Sequence, residues 1–160
     1  MSKKVIWTIV AVVAVLAIVA VAVFFLGGKT GKNVEGTLEE LMTKVYEGIP
    51  EENLPMMLGN IEVNSENVEG FLGTTEVNYK EAMASESMVG SIAHSVVLVR
   101  MNDAKEAAAA VETIKAKVNP RKWICVEASN VVVKNTGDLV ILIMSNEELA
   151  PKLEDNFDNL

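Results

Sequence analysis

Cysteine and histidine are nearly absent from this sequence: Cys125 and His94 are the only ones. A lone cysteine excludes an intrachain disulfide framework and any cysteine-based zinc or iron–sulfur site within one chain. A lone histidine excludes a multi-histidine metal site. Basic charge is also scarce, with 14 Lys and Arg against 22 Asp and Glu, a net −8. That balance argues against nucleic acid as a partner, because phosphate contacts need a basic face. There is no D-x-D-x-D-G calcium loop, no paired-carboxylate motif and no G-x-x-x-x-G-K-S phosphate loop. Gly27 to Thr30 resembles the last only superficially, since it follows an apolar run. On this reading no catalytic, cofactor-binding or metal-binding residue is assigned.

Apolar residues, by contrast, are abundant and unevenly placed. The mean hydropathy is +0.28 although 22% of residues are charged. The excess lies in Val5 to Leu26, 22 residues without charge, Gly or Pro. As a helix this run is about 33 Å long, enough for a hydrocarbon core of about 30 Å with slight tilt. Helix is also the conformation in which an open chain satisfies its backbone polar groups in lipid. Trp7 near one end and Phe24 and Phe25 near the other suit the two interfaces. The run is longer than a signal-peptide core, and its A-x-A match (Ala20, Ala22) is followed by further apolar sequence. We therefore expect a retained transmembrane helix over 5–26, a short cytoplasmic tail over 1–4 and a flexible linker over 27–36. A domain over 37–160 follows. Lys3 and Lys4 before the helix and Lys29 and Lys32 after it nearly balance. The very short tail resembles a signal anchor, so the expected location is the cell membrane with the domain extracytoplasmic. Without Lys3 and Lys4 the rest carries 12 basic and 22 acidic residues, a net −10.

Within the domain, Thr37 and Glu40 make a capping box for a helix starting at Leu38. Leu38, Leu41, Met42, Val45 and Ile49 follow at helical spacing, with Gly48 as the stop and Pro50 and Pro55 breaking what comes next. Residues 59–78 read as irregular, with a helical turn at 65–72, and 79–85 lean to strand. Ser91 to Met101 is β-rich. Asp103 to Val118 reads as a helix with Ala104, Ala107, Ala108, Val111, Ile114 and Val118 on one stripe. Trp123–Ala128, Asn130–Lys134 and Leu139–Met144 read as strands, with a turn at Asn135-Thr136-Gly137. Ser145 and Glu148 make a second capping box before a final helix, which Pro151 kinks or restarts.

This order predicts an α+β sandwich with a largely antiparallel or mixed sheet and helices on one face. Val96–Val99 and Leu139–Met144 are continuous apolar runs, so both faces of those strands need cover. The helices near 103–118 and 147–158 supply one face. The 38–58 segment supplies the other, with a homodimer as the alternative.

SIAHSVVLVRM, NPRKWICVEA and NTGDLVILIM, within roughly 37–158, resemble a domain-of-unknown-function family of small bacterial proteins. Those proteins carry an N-terminal membrane or lipid anchor and are of the Gram-positive type. The resemblance implies an extracytoplasmic α+β domain and transfers no catalytic residues.

Each chemically suggestive residue has a plainer alternative. His94, flanked by Ser91 and Ser95, reads as structural rather than as a general base. Cys125, between Ile124 and Val126, reads as a small buried hydrophobe in a strand, despite nearby Arg121 and Lys122. Arg121, Lys122 and Trp123 form the candidate partner-binding patch, two cations and an indole at a helix-to-strand turn in an acidic domain. The plainer reading packs Trp123 into the core. The methionines read as core filling, with Met56-Met57 the one local cluster. The expected function is a non-catalytic binding module at the cell envelope, with an envelope protein or polymer as partner. The alternatives are an enzyme with a site built from dispersed residues and a sheet-mediated dimeric subunit.

Overall fold

A computed structural model of the protein describes residues 33–160. The expected tail (1–4), transmembrane helix (5–26) and most of the linker (27–32) lie outside the described residues. Among the described residues no helix is long and apolar enough to cross a membrane.

Five strands form one antiparallel sheet: β1 (Leu58–Glu62), β2 (Tyr79–Ser87), β3 (Ser95–Met101), β4 (Asn130–Thr136) and β5 (Leu139–Ser145). Their spatial order is β1-β2-β3-β5-β4, with every neighbouring pair antiparallel. Among the described residues four α-helices accompany them: α1 (Leu38–Val45), α2 (Val68–Leu72), α3 (Ala107–Lys117) and α4 (Ala150–Asp158). The α+β class is as expected.

Every side chain of the central strands β3 and β5 is buried, and the two apolar runs explain how. Side chains alternate between faces, so Val97, Val99, Val140, Leu142 and Met144 join one core with α2 and α3. Val96, Leu98, Leu139, Ile141 and Ile143 join the other with α1 and α4. Both faces are thus covered by the chain itself. The expected division of helices is corrected: α4 lies with α1, opposite α3, so the helices are not confined to one face. The side chain of Asn156 on α4 explains part of this pairing. Its Nδ2 donates to the carbonyls of Val45 and Glu47, both at 2.9 Å, and so satisfies carbonyls left open at the end of α1.

Local signals hold at α1, where Thr37 Oγ1 accepts from Glu40 N–H and Glu40 Oε2 accepts from Thr37 N–H. At α4 they mislead. Ser145 is the last, buried residue of β5 and caps nothing there; Asn146 Oδ1 instead accepts from Glu148 N–H (3.1 Å) and Leu149 N–H (2.8 Å). Pro151 sits in the first turn of α4, where its missing N–H costs nothing. Helix α3 is preceded by a tight turn over Ala104–Glu106 that Asp103 caps, and Ala110, rather than Ala108, lies on its buried stripe.

Four further expectations need correction. Residues 58–62 are a strand, not irregular; only Leu58 and Ile61 of this edge strand carry large apolar side chains, and they lie on opposite faces. Ser91–His94 precede β3 instead of opening it. Trp123–Ala128 is irregular, not a strand. The β4–β5 turn is the two residues Gly137-Asp138, with Gly137 at φ +52°. Gly73 ends α2 at φ +75°, and a Cβ there would lie 2.2 Å from the Lys117 carbonyl oxygen. Its missing side chain lets the ends of α2 and α3 meet.

Candidate functional site

The two ends of the sheet differ in what they hold. At the end where β3 finishes and β5 begins, Arg100 is buried and each of its three guanidinium nitrogens is engaged. Nε donates to Glu81 Oε1 at 2.7 Å, Nη1 to the Val34 carbonyl at 2.7 Å and to Asp138 Oδ2 at 3.3 Å. Nη2 donates to the Gly36 carbonyl at 2.7 Å. Asp138 Oδ1 in turn accepts from Val34 N–H at 2.8 Å. The planar, forked donor set of arginine suits this arrangement of carboxylates and carbonyls. The described end of the expected linker is therefore bound to the domain, so the ordered domain begins by Val34 rather than at Thr37.

The opposite end carries His94. Its Nε2 lies 2.7 Å from Tyr46 Oη and its Nδ1 2.8 Å from Ser145 Oγ; Tyr46 also bonds the Ser85 side chain. A neutral imidazole satisfies both contacts, one ring nitrogen donating and the other accepting. Burial lowers the His94 pKa to about 4 and pushes the Tyr46 phenol up, the Ser85 hydrogen bond opposing the latter in part. His94 and Ser145 are each only 1% exposed, so no substrate carbonyl reaches the Ser145 hydroxyl. The chain Ser145–His94–Tyr46 ties the end of α1 to the sheet.

Arg121, Lys122 and Trp123 divide. Lys122 Nζ donates to Glu86 Oε2 at 2.8 Å and to Ser95 Oγ at 3.3 Å, and it lies 4.4 Å from the Phe71 ring centroid. Trp123 Nε1 donates to the other oxygen, Glu86 Oε1, at 3.0 Å. Burial lowers the Lys122 pKa, opposed by the Glu86 carboxylate. Arg121 alone turns outward, 77% exposed at the side chain and 3.1 Å from Glu127. The two inward residues meet at Glu86, which neutralises the Lys122 ammonium and accepts the Trp123 indole N–H. The organising residue is Glu86, which nothing near 121–123 in sequence discloses.

Cys125 is corrected from buried strand to exposed loop, with φ +67°. Ile124 beside it is 81% exposed. Met56, Met57 and Met88 are also well exposed, at 68%, 67% and 62%, which corrects Met88 from core filling, while Met42, Met101 and Met144 fill the core as expected. Met88 N–H donates to the Met57 carbonyl, and Ser87 Oγ to that of Met56, so the methionine cluster sits where β1 begins and β2 ends. Among the described residues no group of His, Cys, Asp and Glu is arranged to hold a metal ion.

Beside α1, over β1 and β2, two open depressions share Asn60. One, of about 760 Å³, includes Leu38, Glu39, Asn60, Glu62, Lys80, Glu81 and Met83. The other, of about 820 Å³, includes Glu40, Met42, Lys44, Tyr46, Glu47, Leu58, Asn60 and Ser85. Five carboxylates and two ammonium groups line them, so the trough is acidic above a partly apolar floor.

Comparison with protein-family models, with curated proteins and with solved structures finds no match for this chain.

Proposed function

We propose that this protein is a single-pass membrane protein whose extracytoplasmic domain is a non-catalytic binding module at the cell envelope. Polarity of the domain is the observation that carries the reading. The chain enters at the Arg100–Asp138 end, and the exposed apolar side chains Met56, Met57 and Met88 gather at the other, where Ile124 follows Trp123, itself bonded to Glu86. An apolar run over 5–26 feeding a clamp at Val34 leaves residues 27–33 between membrane and domain. Those seven positions reach at most about 25 Å when extended. The clamped end then faces the bilayer and the methionine-bearing end faces away, where a partner is met. Exposed apolar residues grouped at one place suit recognition more than solubility. The resemblance to anchored bacterial envelope proteins agrees with this reading.

Cys125 provides the test, being the only cysteine and exposed at the outward end. A membrane-impermeant maleimide applied to intact cells should label it to the same extent as in lysed cells. Labelling that appears only after lysis would place the domain on the other side and overturn the proposal.

A further inference from the structure

Among the described residues no strand pairs with the outer edge of β1. Val63 N–H donates to the Ala82 carbonyl and Met88 N–H to that of Met57, and the register pairs Leu58 with Ser87 through Glu62 with Met83. In an antiparallel ladder hydrogen-bonded and non-hydrogen-bonded pairs alternate. The odd residues of β1 therefore bond β2, and Leu58, Asn60 and Glu62 turn their backbone groups away from it. Asn67 Nδ2 takes the Glu62 carbonyl at 2.9 Å. No described residue bonds the outward N–H groups of 58, 60 and 62 or the carbonyls of 58 and 60.

Native edge strands are commonly guarded by lysine, proline or a covering element. The other edge of this sheet has such protection: Lys134 on β4 is held by Glu154 and Asp158 of α4. Between Leu58 and Glu62 there is no lysine and no proline, and Gly59 keeps the strand slim.

We propose that the β1 edge is a strand-addition site for an extended peptide segment with basic side chains at alternate positions. This deepens the binding-module reading and rests on it. Main-chain pairing at such a site supplies affinity and the alternating side chains supply choice. Leu58, Asn60 and Glu62 share a face with Met83 and Ser85, the face of the acidic trough. An added strand projects every second side chain toward that face, where Glu39 and Glu62 stand exposed with the Lys80 ammonium group, Glu81 being held by Arg100. Lysine or arginine is the complementary choice there. The intervening side chains lie beside Gly59 and Ile61, where a small or apolar group fits. A second copy of the chain is the poorer occupant, because pairing β1 with itself brings two acidic troughs onto one sheet.

The test uses the full chain in nonionic detergent micelles and a synthetic, end-blocked seven-residue peptide of alternating lysine and valine. Backbone amide exchange is read residue by residue. At saturation the amides of Leu58, Asn60 and Glu62 should exchange at least about tenfold more slowly, and those of Gly59 and Ile61, already in the ladder, should change little. A peptide of equal charge with proline in place of valine should give no such protection. Asn60→Pro removes one outward donor without touching the bonds to β2 and should weaken binding at least about tenfold. Should that variant not fold, Asn60→Lys keeps the backbone donor and should weaken binding through charge. Three results each overturn the proposal: no protection at millimolar peptide, equal protection by the proline peptide, or protection without peptide that grows with protein concentration. The last assigns the edge to a second copy. Purified protein answers this whichever side of a membrane the domain occupies, so the labelling of Cys125 fails or succeeds separately.

Discussion

Arg100 Nη1 donates to the carbonyl of Val34 at 2.7 Å, across 66 positions of chain. The contact joins the first described residues to the middle strand of the sheet. It also converts a buried charge from a liability into a clamp, since Glu81, Asp138 and two backbone carbonyls complete its coordination.

Replacing Arg100 by Met should therefore lower stability by about 3 kcal/mol, because Asp138 is left buried without its partner. The urea midpoint of the full chain in micelles measures this. In the same variant a glutamate-specific protease should cut after Glu35 at low denaturant, which the clamped protein resists.

His94 should make stability depend on pH. Its folded pKa of about 4 lies below the ordinary 6.5. Above about 6.5 the imidazole is neutral in both states. Between about 6.5 and about 4 the unfolded chain binds a proton that the folded chain refuses, so stability falls as pH falls, by up to about 3 kcal/mol. Denaturation curves across that window should show the slope in the wild type and its loss in His94→Gln, whichever other groups titrate.

Glu86→Gln should cost about 1–3 kcal/mol, since the Lys122 ammonium loses its buried carboxylate. Arg121→Ser, exposed and paired only with Glu127, should stay within about 0.5 kcal/mol of wild type. Thermal midpoints of the two variants compare the inward and outward members of the basic patch directly. Equal losses would contradict the division described above.

Asn146→Ala should destabilise by about 1 kcal/mol, the ordinary worth of a side-chain cap, whereas Glu148→Ala should change little. The urea midpoint of each variant shows which residue opens α4.

Particular residues show how much was legible. Thr37 and Glu40 announced α1 because a capping box is a contract between neighbours three apart. Asn146 and Ser145 are equally suitable caps by residue type; β5 runs one residue further than its apolar stretch and buries the serine against His94, which leaves the cap to Asn146. Residues 58–62 carry no strand signal in sequence, since an edge strand with one covered face and a glycine lacks the apolar run of β3 or β5. Trp123 to Ala128 has strand composition but no strand beside it to pair with, which leaves Cys125 in a loop.

The candidate surfaces were less legible still. Arg121, Lys122 and Trp123 are adjacent in sequence, yet Glu86, 36 positions before Lys122, determines which of them reaches solvent. The open edge of β1 follows from strand order, which no local pattern encodes.

From the sequence alone come the long apolar run, the acid excess, the α+β class and the need to cover both faces of two strands. These depend on composition and on periods of two or three to four residues, properties a short window contains. Tertiary structure alone decided which helix covers which face, what neutralises Arg100 and Lys122, and which strand edge stays bare. Each of those rests on groups far apart along the chain, Val34 and Asp138 by 104 positions, and only folding sets the distance between them.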